Sequence, residues 1–241
     1  MTGEAHVIDV VCFKWKPALG YRSTFGPETV NVLKRMVNRH YATLHRFTCV
    51  TDDPAGLDPD VRVVPLWDDL ADVPSPMGGT RKNPSCYRRL KLFSAEAAEL
   101  IGPRFVALDL DCVITGDLAP LWDRPEDFII WGGTHPRTQY NGSMMLMTAG
   151  ARRQVWETFD PVRSPRATQA ARCYGSDQAW ISYCLGPEEK RWSCEEGVHS
   201  YRHLQDGRLP ANARMVLFPG AANPWSPDVQ AQHEWVRRCW A

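Results

Sequence analysis

Two acidic residues at the end of an apolar segment carry the strongest chemical signal in the sequence. Asp109 and Asp111 close the run Phe-Val-Ala-Leu-Asp-Leu-Asp, and their i, i+2 spacing places both side chains on one side of a strand end. Two neighbouring carboxylates repel each other unless a cation lies between them. The pair would therefore hold a divalent metal ion that in turn binds a diphosphate, or it is simply a pair of exposed turn acids.

The segments before these acids predict the elements that position them. Runs rich in valine and isoleucine predict strands over His6–Phe13, Arg46–Thr51 and Val61–Leu66, and Pro27 predicts the start of an amphipathic helix. Phe105–Leu110 predicts a central buried strand. Strands separated by helical spacing indicate a parallel α/β sheet, in which ligands bind at the carboxyl ends of the strands. The acids therefore lie where a ligand is expected.

A long loop and several later elements complete the predicted domain. Asp68–Pro84 predicts a lid or binding loop, and Asn83 begins a predicted helix that Gly102 ends. Ser176 predicts the cap of a helix that runs to about Leu185. No internal repeat is present, which favours a single domain over residues 1–241. Further strands are predicted at Phe128–Trp131, Ser143–Met147 and Met215–Phe218.

The composition is that of a globular, enzyme-sized domain. Of 241 residues, 44% are hydrophobic and 23% charged, which excludes disorder of the whole chain. The 28 basic residues balance the 28 acidic ones, which argues against a general polyanion-binding protein. The eight cysteines contain no Cys-x-x-Cys pair, no apolar stretch is long enough to span a membrane, and no signal peptide is visible. We therefore expect a cytoplasmic protein with reduced, buried thiols.

One enzyme class with an Asp-x-Asp motif matches only part of the sequence. Asp109–Ile114 is similar to the nucleophile motif of haloacid-dehalogenase-like phosphatases. Those enzymes also need a later lysine and a second acidic pair. After Asp111 the only lysine is Lys190, no Gly-Asp-x-x-x-Asp follows it, and the motif lies far from the N-terminus. This phosphatase interpretation is the weaker of two.

Five short blocks of the sequence occur in an order that is typical of one enzyme family. They are Tyr87–Leu92, Val106–Trp122, Tyr140–Met144, Gly175–Gln178 and Phe218–Trp225. The first has an aromatic-x-Arg-Leu pattern, and the second contains Asp-x-Asp, Gly-Asp-Leu and Leu-Trp. In this order the blocks resemble GT-A glycosyltransferases, nearest to glycosyltransferase family eight, which includes glycogenin and lipooligosaccharide galactosyltransferases. Each block alone is unspecific, so their order carries the resemblance.

The resemblance implies a fold and a reaction. The fold is a single GT-A-like α/β domain with a Rossmann-like, mostly parallel central sheet flanked by helices. Its nucleotide-binding half would cover residues 1–125 and its acceptor-side half residues 126–241. The implied reaction moves a hexose from a nucleotide-sugar, expected to be a UDP-sugar, to an acceptor hydroxyl, with retention at the anomeric carbon. Mn²⁺ or Mg²⁺ would assist the departure of the nucleotide.

The resemblance also implies roles for individual residues. Asp109 and Asp111 would hold the metal ion against the donor diphosphate, and Arg89 would supply a further cation there. The residues implied around the transferred sugar and the acceptor hydroxyl are Asn141, Asp177 and Gln178. Those implied at the nucleotide-sugar are Phe13, Lys14, Thr51, Asp52, Gly220, Asn223 and Trp225.

Two positions depart from the family pattern. Leu217 occupies the place of the usual third metal ligand, a histidine, and Asn223 replaces a lysine that usually contacts the diphosphate. The metal would then be held by the two carboxylates, the diphosphate and water, or additionally by His199 or His203. The same departures leave open a nucleotide-sugar-binding protein that does not catalyse transfer.

The acceptor is indicated only by local charge. Residues 149–175 contain five arginines but only Glu157 and Asp160 as acids, a local charge of +3. A solvated surface explains this charge, and so does a polyanionic acceptor such as a phosphorylated saccharide or a hydroxymethylated base in DNA. We expect a saccharide or glycoconjugate acceptor, with DNA as the alternative. The oligomeric state is not encoded in any recognisable pattern.

Overall fold

The fold is built on one large and one small β-sheet. The computed structural model describes residues 7–16, 25–74, 76 and 86–241. The large sheet contains β1 (Ile8–Lys14), β2 (His45–Thr51), β3 (Arg62–Pro65), β4 (Arg104–Leu108), β6 (Phe128–His135), β7 (Thr138–Thr148) and β8 (Arg191–Trp192). The small sheet contains β5 (Cys112–Ile114), β9 (Val198–Ser200) and β10 (Met215–Leu217).

The strand order of the large sheet is β3-β2-β1-β4-β7-β6-β8. Strands β3, β2, β1 and β4 are parallel, β7 is antiparallel to both of its neighbours, and β8 is parallel to β6. The chain moves outward from β1 to β3 and then returns to the other side of β1 as β4. Open α/β sheets bind ligands at such reversals, beside the carboxyl ends of the strands.

The two predicted acids lie in the link between the sheets. Strand β4 ends at Leu108 and β5 begins at Cys112, so the acids stand between the strands. The backbone N–H of Asp109 donates to the carbonyl of Ser143 at 2.9 Å, and the carbonyl of Asp111 accepts from Phe218 N–H at 2.9 Å. Backbone hydrogen bonds therefore fix one acid to β7 and the other to the residue that follows β10.

Helices cover both faces of the large sheet. Alternate residues of β4 divide between the faces: Val106 and Leu108 pack towards α1 and the small sheet, and Phe105 and Ala107 towards the 3₁₀ helix, α4 and α6. None of the helices within the described ranges is long and apolar enough to cross a membrane. The helices are α1 (Pro27–His40), a 3₁₀ helix (Cys86–Phe93), α2 (Ala97–Leu100), α3 (Ala119–Trp122), α4 (Gln154–Glu157), α5 (Arg163–Ala170), α6 (Asp177–Leu185), α7 (Pro227–Gln232) and α8 (Glu234–Cys239).

Several predicted elements need correction. The helix predicted from Asn83 is, over its described part, a 3₁₀ helix followed by the separate helix α2. Five of the eight residues of the 3₁₀ helix are buried, so this segment contacts the core on more than one side. Strand β4 ends two residues before the predicted Leu110, because the chain there turns to join β5. Asn83 and much of the predicted loop, residues 75 and 77–84, lie outside the described residues.

Candidate active site

A cavity of about 600 Å³ opens at the link that carries the two acids. Its walls come from the 3₁₀ helix, the β4–β5 link, β7, the start of α6 and the segment after β10. Side chains far apart in sequence therefore face one volume. Eight residues predicted from the sequence line it: Arg89, Asp109, Asp111, Asn141, Asp177, Gln178, His203 and Gly220.

Arg89 joins two acids at the base of this cavity. Its Nε and Nη2 donate to Oδ2 of Asp177 at 2.8 and 2.5 Å, and its Nη1 donates to Oδ1 of Asp109. Only 9% of Arg89 is exposed. Burial alone would lower the pKa of the guanidinium, but Asp109 and Asp177 raise it well above its usual value. Arg89 is therefore permanently charged and neutralises the buried acids.

Gly142 makes room for this ion-pair cluster. A Cβ atom at this position of β7 would lie 2.9 Å from Nη2 of Arg89 and 3.2 Å from Oδ2 of Asp177. Such distances are too short for a real contact, so any side chain here would push the guanidinium away. The glycine inside strand β7 is thus explained by close approach of the arginine.

Ser143 connects Asp109 to Asn141, and the sequence analysis did not single it out. Its hydroxyl lies 2.7 Å from Oδ2 of Asp109 and 2.7 Å from Oδ1 of Asn141. Its backbone N–H also donates to Oδ1 of Asn141 at 2.9 Å. Ser143 is the last polar residue of β7 before the apolar run Met144–Met147, which was the available signal for this role.

The start of α6 brings Asp177 and Gln178 to the cavity. Asp177 is buried, and Gln178 is half-buried, with its Nε2 donating to the carbonyl of Tyr174 at 3.2 Å. Ser176 occupies the predicted cap position, but its side chain does not cap the helix. Its hydroxyl instead accepts from the backbone N–H of Cys86 at 3.2 Å, which ties α6 to the 3₁₀ helix. The predicted capping hydrogen bond is therefore wrong, although the helix start is right.

The facing wall contains Arg202, His203, Pro219 and Gly220. Arg202 and His203 are exposed side chains of a short 3₁₀ helix that follows β9. Arg202 was not predicted as a site residue. No sequence pattern marks it, because only the pairing of β9 with β10 brings its segment beside Gly220.

Four residues predicted at the nucleotide do not line this cavity. Phe13 packs edge-on against Trp67, with 5.5 Å between ring centroids. Lys14 Nζ and the Thr51 hydroxyl both donate to the carbonyl of Asp53, at 2.5 and 3.2 Å. The fourth of these residues, Asp52, accepts a hydrogen bond from the backbone N–H of Lys16 at 3.1 Å. They form a separate polar group at the carboxyl ends of β1 and β2.

The structure also places His199, Asn223 and Trp225 outside the cavity. His199 lies on β9, with Nε2 at 3.1 Å from Oδ1 of Asn212, and lines a neighbouring cavity instead. This position corrects His199 as a candidate metal ligand, because the histidines that line the acids' cavity are His135 and His203. Trp225 packs against Phe25 at 5.5 Å between ring centroids. Asn223 is half-buried, and its Oδ1 has no hydrogen-bond partner within the described residues.

Metal ligands other than the two acids are scarce here. Within the described residues no group of three or more histidine, cysteine or acidic side chains gathers in a metal-binding arrangement. Asp109 already accepts hydrogen bonds from Arg89 and Ser143. The arrangement offers a divalent ion two carboxylates at most as firm protein ligands, with other ligands left to a bound anion or water.

Three of the five arginines of residues 149–175 form ion pairs. Arg153 pairs with Glu157 and Arg163 with Asp160, acids that the charge of +3 already includes. Arg152 pairs with Asp127 and Glu189, which lie outside the segment, at 3.0 and 2.6 Å. These two outside acids make the positive charge that suggested a polyanionic acceptor smaller than the sequence implied.

Comparison with known proteins gives structural relatives only. No protein-family model matches the chain, and no curated protein matches its sequence. The galactosyltransferase LgtC, solved with donor and acceptor sugar analogs, is similar over 96% of both chains, with a TM-score of 0.62 and 16% identity. The glycosyltransferase GlyE of Streptococcus pneumoniae TIGR4 covers 98% of this chain and 61% of its own, with a TM-score of 0.59 and 11% identity. The bifunctional glycosyltransferase WbbM covers 98% and 50%, with a TM-score of 0.57 and 12% identity.

These likenesses confirm the predicted fold. The chain has a GT-A-like α/β fold with a mostly parallel central sheet flanked by helices, as in the glycosyltransferase structures to which it is similar. At this level of identity the comparison establishes the fold alone. The chemistry has to be argued from the residues of the cavity.

Proposed function

We propose that this protein is a glycosyltransferase that moves a hexose from a nucleotide-sugar, in the first instance a UDP-sugar, to an acceptor hydroxyl. The observation that carries the proposal is the convergence of Asp109, Arg89 and Asp177 in one cavity at a reversal of strand order. The fold around this cavity is shared with several glycosyltransferases. The sugar analogs bound by LgtC indicate the kind of ligand to test first.

A divalent cation fits the acids of the cavity. Carboxylate oxygens suit Mg²⁺ or Mn²⁺, and Mg²⁺ commonly takes one or two protein carboxylates and completes its coordination with substrate phosphates. Asp109 and Asp111 would hold this ion, and His203 lines the same cavity as a further candidate ligand. When bound, the ion would stabilise the negative charge that develops on the departing diphosphate.

The side chains around the sugar would orient it. The Oδ1 of Asn141 is engaged by Ser143, so its amide nitrogen is the group that would donate to a sugar hydroxyl. Arg89 fixes the carboxylate of Asp177 from one side, which suits it to hold the sugar in one position. Gln178 would lie beneath the sugar, but an amide is a weak nucleophile.

Retention of configuration at the anomeric carbon is therefore best explained by a front-face mechanism. In this route the bond from the anomeric carbon to the phosphate oxygen breaks, and the acceptor oxygen forms its bond on the same face. The acceptor proton passes to the departing phosphate oxygen, so the reaction needs no additional base. The chain would contribute position and charge, through Asp177 and Arg89, rather than a covalent intermediate.

The two halves of the chain would bind different substrates. We assign the nucleotide of the donor mainly to residues 1–125 and the acceptor to residues 126–241, with the transferred sugar between the two halves. The polar group at the ends of β1 and β2, with Phe13 beside it, would face the nucleotide base. The proposed acceptor is a saccharide or glycoconjugate, and a hydroxymethylated base in DNA is the alternative to be tested beside it.

A nucleotide-sugar-binding protein without transferase activity is the second candidate. It is favoured by one observation, since Arg89 already occupies Oδ1 of Asp109 and Ser143 lies at Oδ2. The phosphatase alternative lacks support, because no lysine is among the described residues that line the cavity.

The experiment measures release of UDP from UDP-glucose and UDP-galactose with Mn²⁺, with and without a lactose acceptor. The proposal predicts release by the wild type, loss of release in Asp177→Asn, and unchanged release in the surface variant Asp228→Asn. Binding of either sugar nucleotide without release would favour the second candidate. Hydrolysis of p-nitrophenyl phosphate that Asp109→Asn abolishes would favour the phosphatase.

A further inference from the structure

The wall that faces Arg89 carries a second guanidinium, on Arg202. The side chain of Arg202 lies against the backbone of Gly220, where an added Cβ would be only 2.9 Å from its Cζ and Nε. Gly220 also has a φ of +117°, a conformation that other residues rarely adopt. The backbone angle therefore favours glycine at the place where Arg202 lines the cavity, and a side chain there would displace the guanidinium.

Arg202 differs from Arg89 in its freedom to bind a ligand. All three guanidinium nitrogens of Arg89 are engaged by Asp109 and Asp177. Arg202, in contrast, is exposed and forms no hydrogen bond or ion pair with any residue in the described parts of the chain. Five donors in a planar fork are thus available at the cavity wall. Such a fork matches the paired oxygens of a phosphate.

The charges of the cavity indicate which ligand this arginine would take. Three carboxylates, those of Asp109, Asp111 and Asp177, face the volume, and the charge of Arg89 is already committed to Asp109 and Asp177. Phe218 N–H donates to the carbonyl of Asp111, which brings the backbone that leads to Gly220 and Arg202 beside the acids. A diphosphate drawn to a cation on the acids would therefore need a further positive group on this wall.

We propose that Arg202 binds the diphosphate of the nucleotide-sugar donor, an inference that rests on the proposed function. Arg202 would supply the positive charge that Asn223 cannot, since Asn223 is neutral and lies outside the cavity wall. The arginine would bind the phosphate oxygens through two parallel hydrogen bonds, and Asp109 and Asp111 would hold the metal ion. Its position is set by Gly220.

Calorimetric titrations test this assignment with three probes: inorganic pyrophosphate, UDP and uridine, each with Mn²⁺. Arg202→Gln is expected to weaken binding of pyrophosphate and UDP by about tenfold, the typical effect of a lost charge-assisted pair. Binding of uridine, which has no phosphate, is expected to stay unchanged. Arg202→Lys should recover part of the loss, and Gly220→Ala should reproduce it by displacing the guanidinium. Arg237→Gln, an exposed arginine of α8, is the matched control.

The outcomes separate this inference from the proposed function. If UDP binding requires Asp111 but is indifferent to Arg202→Gln, the assignment of Arg202 is wrong and the donor site remains. If pyrophosphate binding depends on Arg202 but no UDP-sugar is turned over, Arg202 is an anion-binding residue and the transferase proposal fails. If the wild type binds neither pyrophosphate nor UDP, both are wrong. Equal weakening in Arg202→Gln and Arg237→Gln would also overturn the assignment.

Discussion

The guanidinium of Arg89 donates two hydrogen bonds to a single carboxylate oxygen of Asp177, a residue 88 positions later in the chain. The same guanidinium reaches Asp109 with its remaining terminal nitrogen. Three elements, the 3₁₀ helix, the β4–β5 link and the start of α6, are joined by one side chain. Arg89 and Asp177 are buried and Asp109 is half-buried, so this ion-pair cluster acts both on stability and on the shape of the cavity.

Replacement of Arg89 should therefore destabilise the fold. Arg89→Met leaves the carboxylate of Asp177 buried without its counter-ion, and breaking a buried pair in this way costs about 3–5 kcal/mol. Urea denaturation measures the free energy of unfolding. Arg88→Met is the control, because the neighbouring guanidinium forms no ion pair with any described residue. Equal losses in the two variants would contradict the role given to the cluster.

Gly142 should tolerate no side chain. In Gly142→Ala the added methyl group would press on Nη2 of Arg89, and overpacking of this kind costs about 1–3 kcal/mol. Thermal melting of the variant should show a lower midpoint. Gly26→Ala is a suitable comparison, because an added Cβ there meets no atom within 4 Å. A melting point unchanged in Gly142→Ala would show that the cluster can move at little cost.

Ser143 should support the metal–donor site without contacting the metal. Ser143→Ala removes the hydroxyl that lies 2.7 Å from Asp109 Oδ2, and loss of such an outer partner lowers metal affinity by about 10–100-fold. The measurement is Mn²⁺-dependent UDP binding, with Ser193→Ala as the control. Within the described residues the Ser193 hydroxyl donates to Glu196 and accepts from the backbone N–H of Glu195, away from the cavity. Affinity that is the same in both variants would remove Ser143 from the site.

Cys86 should be unreactive although it lines the cavity. Burial, followed by the nearby charge of Asp177, raises the pKa of its thiol to about 12. A thiol with a raised pKa forms its reactive thiolate only as the pH approaches that value, so almost none is present at pH 8. Mass spectrometry after iodoacetamide treatment at pH 8 should find the exposed Cys194 alkylated and Cys86 unmodified. Comparable alkylation of both would contradict the raised pKa of the Cys86 thiol.

The sequence predicts the strands and helices of this fold well because each is specified by residues close together in the chain. Val10, Cys12 and their neighbours in β1 form an apolar run that can only be buried, and Pro27 and the stripe after it specify α1. The strand order could not be predicted in this way, since no local pattern indicates that β4 pairs with β1 or that β7 pairs with β4. The fold class came from the order of the motifs.

The site was predictable where motifs mark it and unpredictable where only tertiary contacts do. Asp109, Asp111 and Asp177 lie in recognisable blocks and share one cavity. His199 and His203 could not be ranked from the sequence, because their places depend on how β9 pairs with β10. Arg202 carries no motif at all, and its place on Gly220 is a consequence of the same pairing.

The central claim is that Asp109 and Asp111 form a metal-dependent nucleotide site, and one titration tests it most directly. Calorimetry would measure UDP binding to the wild type and to Asp111→Asn, with and without Mn²⁺, with Asp228→Asn as the control. If Asp109 and Asp111 hold the ion, UDP binding requires both Mn²⁺ and Asp111, and Asp228→Asn binds UDP as the wild type does. UDP binding that is indifferent to the ion and to Asp111→Asn would contradict the account at its centre.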